Sequence, residues 1–78
     1  MDTKSNLQIW LKEELSDSVK YAEAARHEHG AMRQMLHDMA EEEHEHACAV
    51  WHMMEHHGQT TGTDKLSIFH DAESALYK

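Results

Sequence analysis

Seventy-eight residues carry 15 Asp and Glu against 7 Lys and Arg, a formal charge of −8 with nine histidines counted neutral and a single cysteine. Cys48 alone rules out an intramolecular disulfide, and the acidic balance argues against nucleic-acid binding, since phosphate contacts need Lys and Arg. A core this small supplies roughly 3–5 kcal/mol, so metal or a partner chain is the expected further support. Residues 1–6 have no cationic, then apolar, leader, and no stretch approaches the ~18 apolar residues of a membrane span, so a cytoplasmic protein is expected. Proline is absent and glycines number only three. The first helix is expected over residues 6–29, opened by a Ser5-x-x-Gln8 capping box and stopped by Gly30. A second, over 31–57, ends at Gly58 with His56 and His57 in its last turn. Residues 59–63 form a polar linker, and Asp64 or Thr63 caps a short third helix over 64–77.

Apolar spacing then sets the packing. In the first helix Leu7, Leu11, Glu14, Ser18, Tyr21 and Ala25 follow alternating steps of four and three. In the second, Met32, Leu36, Met39, Glu43, His46, Val50, Met53 and His57 do the same. Such a seam packs against another helix as in coiled coils and four-helix bundles. The expected fold is therefore all-α: an antiparallel two-helix hairpin plus a short C-terminal helix, residues 1–78 forming one half-bundle domain. Two helices do not bury both seams, so a second hairpin completing four helices is expected. The third helix, with Leu66, Phe69 and Leu76 on one side, is expected to pack over a neighbouring subunit, and Trp10 and Trp51 to flank the seam as interface anchors.

Each seam carries polar groups at its middle. Glu43 and His46, at i and i+3, project from one face and suit ligation of the same or adjacent metals. Glu41 and His44 share that spacing but point away from the seam, toward water. A buried Glu beside a buried His is costly unless its charge is neutralised, which favours a ligand role over a structural hydrogen bond. Glu14, between Leu11 and Ser18, follows the same logic. Tyr21 is either a plain seam aromatic or a hydroxyl donor to a ligand carboxylate. His52 and His56, at i and i+4, form a secondary candidate for a surface metal. The methionines read as adaptable core, and Cys48 as a small packed residue.

Glu14-Leu-Ser-Asp-Ser-Val-Lys-Tyr21 and Glu42-Glu-His-Glu-His-Ala47 together resemble the ferritin-like di-iron carboxylate superfamily. Within it the nearest likeness is to encapsulated ferritins and to half of a rubrerythrin-type bundle, over about residues 7–58. The resemblance implies that two hairpins pair face to face and that Glu14, Glu43 and His46 of each chain build one di-iron site. It further implies a ferroxidase, oxidising Fe(II) to Fe(III) in iron storage or detoxification, with catalytic Glu14, Glu43, His46 and Tyr21. An encapsulin shell would then be a partner, and Mn or Zn substitutes for Fe. Two positions depart from that family: Ser16 stands where a further acid is common, and residues 71–78 lack an aliphatic docking tail. The alternative from the residues themselves is a non-catalytic, His- and Glu-rich metal-buffering protein.

Overall fold

The computed structural model describes residues 3–77 as three helices: α1 (Thr3–Ala25), α2 (Gly30–His56) and α3 (Lys65–Tyr77). α2, 27 residues long, sets the 42 Å length of the molecule at about 1.5 Å per residue. Local chemistry accounts for most of the boundaries. Gly58 takes φ 70, and the bonds Gly58 N–H to Glu55 O (3.0 Å) and Gln59 N–H to Met54 O (2.9 Å) close a Schellman motif that ends α2. Asp64 caps α3: its Oδ1 accepts from the Leu66 N–H at 3.1 Å and its Oδ2 from the Ser67 hydroxyl at 2.8 Å.

The first boundary differs from the sequence expectation. α1 is helical from Thr3, so Ser5 lies inside its first turn rather than at an N-cap. It also ends four residues before His29, in short i to i−3 bonds from Arg26, His27 and Glu28. His29 is the N-cap of α2, and Gly30 (φ 58) opens that helix instead of closing α1. The reason is steric. A tight reversal needs its left-handed residue where the new helix begins, and only glycine takes that conformation without a Cβ penalty.

α1 and α2 form an antiparallel hairpin, with Ser18 facing Ala40 and Leu7 and Leu11 clustering with Val50, Trp51 and Met54. At the closest approach the side chains are small. Ser18, Ala40 and Ala47 are fully buried, and the Ser18 hydroxyl donates to the Ala40 carbonyl at 2.8 Å. That contact rotates α2 relative to the expected seam. Ala40, Ala47, Val50, Trp51 and Met54 face inward, while Met32, Met39 and Met53 are exposed. The methionines lose the inner face because a long side chain there would hold the backbones apart and forfeit the Ser18 hydrogen bond.

α3 lies on its own hairpin, not on a neighbour, and this corrects the sequence reading. Phe69, 1% exposed, meets Trp51 edge-on at 5.9 Å and His44 at 5.7 Å. Trp51 is accordingly core rather than an interface anchor. Ala72 and Leu76 complete the buried side, whereas Leu66 stays in solvent. The C-terminal end of α3 leaves backbone carbonyls unsatisfied, and the hairpin supplies partners: Arg26 Nη2, in the turn after α1, donates to Ala75 O at 2.8 Å, and His37 Nε2 of α2 lies 3.4 Å from Leu76 O. Two apolar clusters result. One holds Leu7, Leu11, Ala47, Val50, Trp51, Met54 and Phe69, and the other Ala22, Ala40 and Leu76. Among the described residues no helix is long and apolar enough to cross a membrane.

Candidate metal centre

Between the two clusters, on the face that α3 leaves open, the hairpin brings Glu14, Glu43 and His46 together. Ligand atoms of all three lie within 4.8 Å of one another. His46 Nδ1 is 3.4 Å from Glu14 Oε2 and 3.5 Å from Glu43 Oε1. Glu14 comes from α1 and the other two from α2, so the antiparallel register, not local sequence, creates the group. The Trp10 indole N–H, one turn before Glu14, donates to Glu14 Oε1 at 2.8 Å. Glu14 Oε2 is buried with no hydrogen-bond partner among the described residues.

The two carboxylates titrate apart. Sharing a proton with Glu14 raises Glu43 above its ordinary 4.5; burial and the Glu14 charge add to the rise, and His46 opposes it. For Glu14, burial pulls upward, but hydrogen bonding with Glu43 and Trp10 and the proximity of His46 outweigh it, leaving the group below 4.5. While both are ionised neither can donate to the other. A proton on Glu43 lets the two carboxyl groups hydrogen-bond.

The sign of the linkage follows. A raised carboxyl stabilises the fold when protonated, a contribution lost as pH rises above 4.5 through the Glu43 value. A lowered carboxyl stabilises it when ionised, a contribution lost as pH falls below 4.5 through the Glu14 value. In chelator-treated protein the melting temperature is expected to fall as pH rises through the Glu43 transition. Glu43→Gln, which cannot ionise, removes that fall. An identical pH profile for both proteins, followed by circular dichroism, would contradict the coupling.

The donor set fits a dication. Two oxygen donors and an imidazole suit Fe, Mn or Zn, and a cation relieves both the like-charge pair and the unpartnered Oε2. The burial differs from the sequence expectation, because the His46 side chain is 59% exposed in the single chain while Glu14 and Glu43 are at 16% and 21%. Tyr21 is half-buried beside the second cluster, with Lys20 Nζ 5.7 Å from its ring. Among the described residues its hydroxyl makes no hydrogen bond to either carboxylate.

Other candidates fall elsewhere. His52 pairs with Glu55 at 3.3 Å, and His56 packs against His57, so His52 and His56 join no group of three ligands among the described residues. The Glu41 and His44 pair is not a water-facing unit. His44 sits half-buried against Phe69 with its Nε2 3.4 Å from Glu73, and Glu41 faces His37 at 3.1 Å. Glu73 thereby gains the role of holding α3 to α2. A further grouping that sequence spacing had not singled out, His37, Asp38 and Glu41, lies on one face of α2. His37 there is tied to the end of α3 and Asp38 accepts from Gln34 at 2.8 Å, so both have structural work.

No protein-family model matches the chain, and comparison with curated proteins and with solved structures likewise finds no match.

Proposed function

We propose that two copies of this chain pair through the face that carries Trp10, Met39, His46 and Met53, bring two Glu14, Glu43 and His46 sets together, and oxidise Fe(II) to Fe(III) there. The observation that carries this reading is the convergence of the three side chains on an open face, with a buried carboxylate oxygen that has no hydrogen-bond partner among the described residues. Exposure of the apolar residues around them supports the pairing. Trp10, Met32, Met35, Met39 and Met53 are each at least 38% exposed, an apolar surface that a second copy would cover. The residue pattern of the ferritin-like superfamily supports the choice of metal.

Charge and chemistry agree with it. Two Glu14 and two Glu43 would place four negative charges in one interface, and two Fe(II) ions neutralise them. Iron is the substrate: each Fe(II) surrenders one electron to O₂, which takes up protons from solvent and is reduced. The carboxylates favour the more highly charged product ion, and the imidazole completes the ligand set without adding charge. Residues 65–77 are helix packed on the hairpin.

The test is direct. Anaerobic protein loaded with Fe(II) and exposed to air should develop ferric absorbance faster than buffer does, and Glu43→Ala should reduce the rate to that of buffer. Equal rates for the two proteins would defeat the proposal. Stoichiometric binding of Fe(II) without turnover would favour the metal-buffering alternative.

A further inference from the structure

We infer that Trp10 is a positioning residue of this centre: its indole N–H occupies Oε1 of Glu14 and so presents Oε2 as the single oxygen that meets the metal. The inference rests on the reading of Glu14, Glu43 and His46 as a metal centre. It adds a fourth residue, which neither ligates nor titrates.

Three observations converge on Trp10. The indole N–H to Glu14 Oε1 bond is short, at 2.8 Å, and joins residues one turn apart on the same helix face. The second oxygen, Oε2, is buried without a hydrogen-bond partner among the described residues and lies 3.4 Å from His46 Nδ1. The two oxygens of one carboxylate are therefore differentiated: one satisfied by a fixed donor, the other left with its lone pairs toward the other two candidate ligands. The third observation is the exposure of Trp10 itself. At 44% exposed it is not held there by core burial, whereas the other tryptophan, Trp51, is 4% exposed and packs in the core. A large aromatic left in solvent beside a carboxylate is accounted for by the hydrogen bond it makes and by the face it shares with the open centre.

The chemistry of indole suits this task. Its N–H is a donor only, does not ionise in the working range, and offers no lone pair to compete for the cation. A Lys or Arg in its place would neutralise Glu14 and repel the metal. An Asn or Gln would present an oxygen as well as a donor. Hydrogen bonding to a ligating carboxylate from outside the metal's own shell orients it and limits its motion, and loss of such a partner typically weakens metal binding about 10- to 100-fold.

Trp10→Phe keeps an aromatic ring and deletes the donor. The measurement is anaerobic titration with Co(II) alone, a spectroscopic stand-in for Fe(II), followed by its visible absorption and by tryptophan fluorescence in a Trp51→Phe background where Trp10 is the sole emitter. In that background Co(II) should quench Trp10 emission with the same midpoint as the absorption change. Glu43→Ala should abolish both signals. Against native protein, Trp10→Phe should weaken Co(II) binding about 10- to 100-fold with an altered absorption band, while its thermal unfolding stays within a few degrees of native. Native affinity and an unchanged band in Trp10→Phe would overturn the positioning role and leave the metal centre standing. Absence of Co(II) binding by native protein, or binding that Glu43→Ala leaves intact, would overturn the centre and this inference together.

Discussion

Phe69→Ala is expected to lower stability by about 3–5 kcal/mol, enough to leave a domain of this size largely unfolded at 37 °C. The size of the effect follows from what Phe69 touches. It is 1% exposed and fills the space between Trp51 and His44 with two edge-to-face contacts, and Lys65 Nζ lies 5.3 Å from its ring centre. Aromatic pairs of this geometry add about 0.5–1.5 kcal/mol beyond area burial. Truncation leaves a cavity that α3, 13 residues long, is too short to close by itself. Loss of α3 would in turn free Glu73 from His44, and would strip Arg26 and His37 of the carbonyls they cap. Urea denaturation followed by far-ultraviolet circular dichroism checks this. A midpoint close to that of native protein would show that α3 contributes little to the fold. Phe69→Leu should lose less, because it retains most of the buried volume.

Met39→Lys is expected to separate the paired chains while leaving each one folded. Met39 is 40% exposed in the single chain and stands two turns from His46 on the same side of α2, as does Met53 on the other side of His46. In the single chain a lysine there meets water, so the monomer's stability should change by no more than about 0.5 kcal/mol. In the proposed pair it would bury an ammonium without a partner, at a cost of about 3 kcal/mol or roughly a hundredfold in dimer affinity. Metal acts in the opposite direction. In the proposed pair metal binds only the assembled state, so Fe(II) should drive native protein toward the dimer and a chelator should reverse the shift. Sedimentation velocity at micromolar protein, with and without metal, reads both effects. A Met39→Lys protein that dimerises like native, or a native dimer indifferent to chelator, would exclude this face as the interface.

Much of the local structure is written in short-range chemistry, which is why it was readable. Gly58 ends α2 because the Schellman turn requires a left-handed residue, and Asp64 opens α3 because its side chain reaches the next free N–H groups. The three candidate ligands were legible for a related reason. A charged residue on an apolar stripe is anomalous wherever the helix packs, so Glu14, Glu43 and His46 stood out before any partner was known. Their neighbour Trp10 was seen only as a flanking aromatic. Its hydrogen bond to Glu14 depends on a rotamer, to which residue type gives no guide.

The failures share another cause. Hydrophobic periodicity ranks side chains by polarity, but two helices in close contact select for size. Met32, Met39 and Met53 therefore looked inward on paper, while Ala40 and Ala47, with Ser18 opposite, hold the contact in the folded chain. His44 read as solvated surface because its partner Glu73 lies 29 positions away along the chain, and the Arg26 and His37 contacts with the end of α3 span 49 and 39 positions. No spacing rule reaches that far. The acidic, histidine-rich chain thus carried in its residue order the three helices, the caps at Gly58 and Asp64, and the three anomalous seam positions. Packing of α3 on one side of the hairpin settled which face stays open, and so where those three positions meet solvent or a second chain. That choice belongs to shape and volume complementarity, which exists only once the helices are brought together.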